Sequence, residues 1–517
     1  MEKQSKTFSK KFIWIASIAA ILIVGASVAA ATIFNKNPKE QFFSAEVNSL
    51  NFMKDAVEER YNDELDWVEA TKEKPSETTM ELSAEFNDPS GFDSTGMQEF
   101  INSSTITLTN GFDPKNKKMT LEAKASMAGI SLEDIKFFLS SDNVMLSLPF
   151  LEKVIEVKES DLPDLITQFD PTGATAVEEF EFDRFFNQKL MSEEDIKHIQ
   201  ETYVQMIYKE LPEDAFSAED DTVDVDGEQV EATKLSLQLS EQQLKDIIEK
   251  VLTALENDER LKEYLKEQMA LDPAIAGTYT SEDMAQLIND FDTGIAEAKK
   301  ELKDLQIPNG LTATVWTEND LIVKRDFSIE MAPAGEELVT FTIAGTQLLE
   351  KETQVFDYEL GFDDGTEADS LTLTGDLSWK DGKADDSITV SAAGVELSYT
   401  GAEQVNDGTR EFDRQFAFND SALPSAFQLN WNGSSTYDND QMNSTHNFSV
   451  VGEGISEDIF QLNVSNDAEL VKSIEFDTGS KEVLDLGSMS QEEIQMYIME
   501  EAGPQLEQWM TLFNAGY

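Results

Sequence analysis

Two long stretches of the chain alternate apolar and polar residues with a period of two, which is typical of half-buried antiparallel strands. The first lies within residues 76–187, where Leu82, Ala84 and Phe86 occupy alternate positions. The second covers residues 311–476, and Asp-Gly pairs separate several of its runs at the short spacing of a meander. The pattern predicts curved antiparallel sheets, each with one apolar face.

Residues 188–306, between these stretches, have helical spacing with one interruption. There, the pair Asp226-Gly227 predicts a hairpin turn. Ser240 followed by Gln243 is a capping box, which marks the start of an amphipathic helix. A second central helix follows it, and further helices are predicted just before the first strand-rich stretch and at the C-terminus. The central helices and the C-terminal helix are the natural cover for the apolar faces of the sheets.

The first 35 residues predict a membrane anchor. Four lysines precede an uncharged segment that begins at Phe12 and ends at Phe34. As a helix this segment would span roughly 34 Å, enough to cross a bilayer. The lysine flank predicts a cytoplasmic N-terminus and an extracytoplasmic main part. A cleaved signal peptide is the alternative, since Ala29, Ala30 and Ala31 offer a cleavage site, but its apolar core is usually roughly 7 to 15 residues long.

Together these patterns predict an α+β protein in which an N-terminal transmembrane helix precedes curved antiparallel sheets packed on central helices. The predicted segments are a cytoplasmic tail and anchor (1–35), a membrane-proximal helix (36–75), a first strand-rich block (76–187), a central helical region with one hairpin (188–306) and a large sheet domain with a C-terminal helix (307–517).

The charge of the chain is strongly acidic, with 102 Asp and Glu against 39 Lys and Arg and a net charge of -63. Sequence-independent binding to nucleic acid needs a cationic face, so nucleic acid is excluded as a partner. The sequence has no cysteine, which excludes disulfide scaffolds, thiolate nucleophiles and Cys-ligated metal centres. Because 40% of the residues are hydrophobic, the chain can still fill real cores.

Motifs for catalysis are missing from the sequence. It contains no G-x-S-x-G, H-E-x-x-H, P-loop or G-x-G-x-x-G opening a helix. Its two histidines, His198 and His446, lie far apart in different predicted environments, which argues against a His-based metal site or triad. Asp224 and Asp226 match part of a calcium loop, but Thr233 stands where a bidentate Glu is needed. We therefore expect no catalytic residue, no cofactor and no metal.

Three motifs follow the lysine-flanked anchor: Asn-Pro-Lys-Glu-Gln-Phe-Phe from Asn37, Leu-Ser-Glu-Gln-Gln-Leu from Leu239 and Ile-Val-Lys-Arg-Asp-Phe from Ile322. With the anchor, they resemble an uncharacterised family of single-pass envelope proteins from low-GC Gram-positive bacteria. The strands near Val144 to Pro149, followed by helices, also resemble the open half-barrel of LolA and LppX type lipoprotein and lipid carriers. This second resemblance implies a half-barrel sheet. Independently of it, the two strand-rich stretches separated by helices hint at a remote duplication, although no residue-level repeat supports it. The lipid-modified cysteine of the LppX-type carriers is absent, and none of the carriers' ligand residues is carried over.

We predict a membrane-anchored, extracytoplasmic, non-enzymatic binding or interaction protein of the bacterial cell envelope. The alternatives are a carrier or sensor of a lipid-like apolar ligand and an envelope hydrolase that works through paired carboxylates. The expected partners are the lipid bilayer, through residues 12–34, and, for the carrier, an apolar ligand; no protein partner can be named. The side chains expected to line such a ligand, between the sheet and the central helices, are Leu244, Ile248, Leu252, Leu287 and Phe291.

Overall fold

The computed structural model describes residues 37–87, 96–127, 130–169, 182–186, 192–271, 281–333, 335–423 and 426–514. All described strands belong to one 20-stranded sheet. The strands are β1 (Ser76–Phe86), β2 (Thr105–Asp113), β3 (Lys118–Met127), β4 (Ile130–Ser140), β5 (Asn143–Ser147), β6 (Lys153–Lys158), β7 (Phe216–Val225), β8 (Glu228–Leu239), β9 (Leu311–Glu318), β10 (Leu321–Met331), β11 (Val339–Leu349), β12 (Thr353–Asp363), β13 (Ala368–Ser378), β14 (Lys383–Ala392), β15 (Val395–Asn406), β16 (Thr409–Asp420), β17 (Phe427–Asp438), β18 (Gln441–Val451), β19 (Phe460–Leu470) and β20 (Glu482–Asp485).

The helices are α1 (Pro38–Arg60), α2 (Asn62–Glu73), α3 (Met97–Asn102), α4 (Leu162–Phe169), α5 (Glu193–Ile199), α6 (Gln205–Glu210), α7 (Glu241–Glu256), α8 (Glu259–Leu271), α9 (Ser281–Leu302), α10 (Gln491–Met496) and α11 (Gly503–Asn514). Single π-helical turns, Gln200–Val204 and Tyr497–Ala502, connect α5 to α6 and α10 to α11.

Two antiparallel meanders form the sheet, and β1 joins them. One meander runs from β2 to β6 and the other from β7 to β19; β6 pairs with β5 and β20, and β7 pairs with β8. β1 pairs with β2 on one side and with β19 on the other, so that Leu82 lies opposite both Ile106 and Val464. β20 adds to β6 as a parallel strand. The order across the sheet is therefore β20, then β6 back to β1, then β19 back to β7.

The predicted fold class, curved antiparallel sheets packed on central helices, is wrong, because the two strand-rich stretches are parts of one continuous sheet of 20 strands. The pairing of β1 with β19 joins the stretches, although these strands are about 370 residues apart in sequence. Alternation predicts that a strand is half-buried, but it does not say which strand lies beside it. The single sheet replaces the predicted half-barrel and the predicted duplication.

One face of this sheet is apolar from the first meander to the second. On β13 to β16, the neighbours Leu373, Val390, Leu397 and Phe418 lie side by side in register. Successive residues of a strand lie on opposite faces, so Ser398 belongs to the other face, which is polar. We call the apolar face the inner face and the polar face the outer face.

Helices cover the inner face from β7 to β11. α1 lies on β7, β8 and β10 and buries the rings of Phe42 and Phe43 completely. α7 and α9 pack together beside it and complete the main core of the described residues. The capping box predicted at the start of α7 is confirmed, because the hydroxyl of Ser240 accepts a hydrogen bond from the amide of Gln243 at 3.4 Å.

The predicted hairpin at Asp226-Gly227 is also confirmed, and it joins β7 to β8. Both residues have positive φ angles, 52° and 82° respectively. A two-residue turn with this backbone matches the right-handed twist of the strands, and aspartate and glycine are among the residues that tolerate it.

Among the helices of the described residues, none is both long and apolar enough to cross a membrane. The predicted anchor, residues 12–34, lies outside the described residues.

Candidate functional site

The five side chains predicted to line a ligand lie at the covered end of the sheet. Leu244, Ile248 and Leu252 of α7 are buried in the main core. Leu287 and Phe291 of α9 are half-buried, and Phe291 packs against the same core. Three of the five are therefore enclosed by other parts of the chain. A ligand-lining role for these five side chains stays a prediction.

Beyond the covered end, the inner face continues with apolar side chains that are largely exposed. Leu397 is 52% exposed and Phe427 is 47% exposed, although both occupy the same face as the buried core. We call these exposed inner-face residues the apolar strip. Its members are Leu360 on β12, Leu397 on β15, Phe416 on β16, Phe427 on β17, Phe460 on β19, Ile106 on β2 and Leu121 on β3.

The apolar strip crosses eleven neighbouring strands, from β12 to β19 and then β1 to β3. Strands in a sheet are about 4.8 Å apart, so the strip extends over about 48 Å. Half-buried leucine, valine and phenylalanine side chains, such as Leu373, Val450 and Leu462, fill the inner face between the exposed members. Large apolar residues that are exposed at intervals along an apolar face of this length mark a candidate interaction site.

The outer face of the same strands is polar. On β15, Glu396, Ser398 and Thr400 alternate with the apolar residues, and on β1 Glu81 and Glu85 do the same. The exposed large apolar residues of β1 to β19 in the described chain all lie on the inner face. Exposure of apolar surface is therefore a property of one face rather than of the sheet as a whole.

The strands have two ends that differ in their surroundings. The upper end carries the β15–β16 turn at Asp407-Gly408, and the lower end carries the β14–β15 turn at Ala393-Gly394. α1 and α2 run along the upper half of the inner face: Ser49 accepts a hydrogen bond from the amide of Ile322, near the upper end of β10, at 2.9 Å. The lower half of the inner face, from β12 to β3, carries most of the apolar strip.

A buried group of charges fixes the junction of α1 and α2 to the sheet. Arg60, the last residue of α1, lies 2.7 Å from Asp386 and 3.0 Å from Glu403. Arg410 lies 2.6 Å from Glu64 on α2 and 2.9 Å from Glu403. We call this group the ion cluster; its members are Arg60, Glu64, Asp386, Glu403, Arg410 and Arg414.

Three arginines and three carboxylates balance each other in the ion cluster. Glu403 is its centre, since it contacts Arg60, Arg410 and Arg414. Burial alone would raise the pKa of Glu403, but the guanidinium groups of Arg60 and Arg414 hold that pKa below its ordinary value. The cluster is therefore a neutral structural contact and leaves no charge free for an anionic ligand.

Aromatic rings pack against the arginines of the ion cluster. The guanidinium of Arg410 lies 4.7 Å from the centre of the Tyr61 ring, and that of Arg414 lies 4.6 Å from the Trp431 ring. Burial and the nearby Glu403 carboxylate raise the pKa of Tyr61 to about 12, so its hydroxyl stays protonated. Arg414 and Phe416 are successive inner-face residues of β16, so the cluster and the strip adjoin directly.

The two histidines belong to different surroundings. His198 on α5 lies 2.8 Å from the buried carboxylate of Asp258, which also accepts a hydrogen bond from the hydroxyl of Tyr203. His446 on β18 accepts a hydrogen bond from the indole of Trp431 at 3.2 Å. Within the described ranges, no group of three or more histidine, aspartate or glutamate side chains is arranged to hold a metal ion.

Sequence analysis did not single out the ion cluster or the open part of the inner face. One signal for the cluster was present: Asp386 and Glu403 occupy positions that the alternation assigns to the apolar face, between residues such as Ala384 and Ile388. A charged residue in an apolar register predicts a buried ion pair. The sequence had no comparable signal for exposure, because an exposed and a covered inner face have the same alternation.

No family model matches the chain, and no curated protein matches it. Solved structures that compare with it include OccK3 (OpdO) and OccK9 (OpdG) of Pseudomonas aeruginosa and OccAB2 of Acinetobacter baumannii, which are outer-membrane porins. Each is 6% identical to this chain. The comparisons cover 77%, 76% and 77% of this chain and 94%, 97% and 97% of the porins, with TM-scores of 0.23, 0.26 and 0.23.

These findings correct several predictions. The resemblance to the family of anchored Gram-positive envelope proteins and the resemblance to the LolA and LppX type carriers are both wrong. The predicted anchored extracytoplasmic binding function and the predicted single-pass location with a cytoplasmic N-terminus are wrong as well. Beyond these corrections, TM-scores this low establish neither a shared fold nor a shared function.

Proposed function

We propose that the protein binds the hydrocarbon chain of an amphiphilic molecule on the apolar strip. The single observation that carries the proposal is the exposure of large apolar side chains on one face of the sheet, on seven of eleven neighbouring strands. An apolar ligand was already an expectation from the sequence. The place proposed here is different, because it lies on the part of the inner face that α7 and α9 do not cover.

The shape of the strip favours a chain-like ligand. It is long, and its exposed members are leucine, isoleucine and phenylalanine, which offer no hydrogen-bonding group to a polar ligand. Burying a methylene group completely is worth about 0.8 kcal/mol, and a chain that lies on an open face obtains a part of that value for each methylene. A chain of a dozen or more methylenes is therefore long enough to bind with useful affinity.

A peptide strand is a poorer occupant than hydrocarbon. Each strand of the strip pairs with a neighbour on both sides, so its backbone groups have no free position for strand addition. A second copy of the chain is also disfavoured, because two molecules with a net charge of -63 repel each other. A hydrocarbon chain needs no free backbone group for binding and carries no charge, so neither argument applies to it.

The helices along the upper half of the inner face limit the space for the ligand. Two of their apolar residues, Val57 on α1 and Leu65 on α2, are exposed rather than packed on the sheet. The ion cluster holds the helices at the upper end, and the lower half of the strip stays accessible. In this arrangement the helices form an upper border for the bound chain.

The experiment uses uptake of N-phenyl-1-naphthylamine, an uncharged apolar dye that fluoresces when it leaves water, by the full chain. We expect saturable uptake by the parent protein. The double variant Leu397→Asn with Phe416→Asn should bind the dye about tenfold more weakly, which corresponds to about 1.4 kcal/mol. Both side chains are exposed, so the variant should fold normally.

The matched control carries Ser398→Asn and Ala417→Asn, which face each other on the outer face of the same two strands. It should bind the dye as the parent does. Equal weakening in both variants, or absence of saturable uptake by the parent, would contradict the proposal. A dimer in sedimentation that only the inner-face variant dissociates would assign the strip to self-association instead.

A further inference from the structure

We infer that the amphiphile bound on the apolar strip carries a positive charge on its head group. The inference rests on the proposed hydrocarbon binding and adds the chemical class of the ligand. The observation behind it is the distribution of charge between the two ends of the strands that form the strip.

The lower end of these strands carries carboxylates without cations. Asp369 on β13 and Asp420 on β16 are inner-face residues at this end, since they lie opposite Phe362 and Val395. The adjoining turns add further acidic residues, among them Glu367 and Glu453, which are exposed. The described residues that connect strands of the strip at this end, 364–367, 393–394, 421–423, 452–459 and 96–104, include no Lys or Arg.

The upper end is different, because lysines are mixed with acidic residues there. Lys351, Lys380 and Lys115 lie in the turns between β11 and β12, β13 and β14, and β2 and β3. Lys380 pairs with Glu352, and Lys351 pairs with Glu59 on α1. The strong acidity of the chain is therefore compensated at the end where the helices lie and uncompensated where the strip is open.

A head group placed at the lower border of the strip would lie beside these carboxylates. There, a cationic group gains from the field and an anionic group is repelled, while the hydrocarbon chain meets the same apolar surface in both cases. The ion cluster offers no alternative place for an anion, because its three arginines are already matched by three carboxylates. Charge complementarity therefore selects the cationic amphiphile.

The test compares three ligands that share a twelve-carbon chain and differ in the head group: dodecylamine, dodecanol and dodecanoate. Each is titrated, below its micelle concentration at pH 7, against the full chain loaded with N-phenyl-1-naphthylamine. At 10 mM salt dodecylamine should displace the dye at about tenfold lower concentration than dodecanoate. The difference should shrink at 1 M salt, where the Debye length falls from about 30 Å to about 3 Å.

Two charge-reversal variants distinguish the effect of the carboxylates at the lower end from the effect of the net charge of the protein. One carries Glu367→Lys, Asp369→Lys and Glu453→Lys at the lower end. The control carries Asp357→Lys, Glu359→Lys and Asp376→Lys, which are exposed residues of the outer face and change the net charge equally. The preference for dodecylamine should decrease in the first variant and persist in the control.

The outcomes distinguish the two proposals. If none of the three ligands displaces the dye, hydrocarbon binding itself is wrong. If all three displace it and dodecanoate is as effective as dodecylamine at low salt, hydrocarbon binding stands and the cationic head group is wrong. Equal loss of preference in the two charge-reversal variants would also overturn the inference, since it would assign the preference to net charge alone.

Discussion

The covered and the open parts of the sheet share one sequence pattern and differ in what lies on it. Leu235 on β8, under the helices, is 1% exposed, whereas Leu397 on β15 is 52% exposed, and both are inner-face residues of long antiparallel strands. In the covered part the chain supplies its own apolar cover through α1, α7 and α9. In the open part the described residues supply none, which is why we assign that surface to an external hydrocarbon.

The same comparison applies to the way in which α1 is attached. At its N-terminal end, in the covered part, Phe42 and Phe43 hold it by apolar contacts. At its C-terminal end, beside the open part, Arg60 holds it by ion pairs with Asp386 and Glu403. Apolar packing at one end and charge pairing at the other respond differently to substitution and to pH.

The largest effect is expected from Glu403→Gln. This substitution removes the carboxylate that Arg60, Arg410 and Arg414 share and leaves buried positive charge without its partner. Removal of one member of a buried ion pair costs about 3 to 5 kcal/mol, and we expect a loss of that size in the free energy of unfolding measured with urea. The control, Glu396→Gln on the outer face of the same strand, should change it by less than about 0.5 kcal/mol. A loss no larger than the control's would mean that water reaches the cluster.

The second prediction compares a leucine-to-alanine substitution in the covered part of the sheet with one in the open part. Leu244→Ala empties space in the packed core and should lower the free energy of unfolding by about 3 kcal/mol. Leu397→Ala removes a side chain that is already half in water and should lower it by less than about 1 kcal/mol. Urea denaturation of both variants under one set of conditions checks the difference. Similar losses would show that Leu397 is covered in solution and would break the comparison.

The smallest effect concerns His446, which lies on the inner face beside the ion cluster. Burial, and then the charge of Arg414, lower the pKa of His446 below its ordinary value. The folded state therefore favours the neutral ring, and the resulting stability is present above the ordinary pKa of about 6.5 and is lost as the pH falls through the lowered value. Between pH 8 and pH 5 the parent should lose more unfolding free energy than His446→Gln. Parallel pH profiles of the two proteins would contradict this assignment.

Local features of the fold were predictable from the sequence. The alternation in Phe356, Tyr358 and Leu360 predicts strand β12 and its apolar face, and the structure has both. Ser240 with Gln243 predicts the start of α7. These signals work because a strand face or a helix cap depends on residues within one or two turns of the chain.

Features that depend on distant partners were not predictable in this way. The pairing of Leu82 with Val464 joins the two meanders, yet the sequence around either residue gives no indication that the other is its partner. The exposure of Leu397 depends on where α7 and α9 end, and the charge balance of Glu403 depends on arginines from α1 and β16. For the candidate site, the sequence therefore predicted apolar residues on one face, and it gave no indication that the inner face of the strands from β12 to β3 is exposed.

The position of β1 between two meanders also means that one of its two partner strands is synthesised long after β1 itself. β1 and its partner β2 leave the ribosome early, whereas β19 is made about 370 residues later. At a translation rate of about 5 to 20 residues per second, β19 is synthesised roughly 20 to 75 s after β1, and one edge of β1 stays unpaired during that time. Glu77, Glu81 and Glu85 lie on one face of β1 throughout that interval. Charged side chains on an unpaired strand disfavour its pairing with other chains, and these three glutamates place such charge on β1.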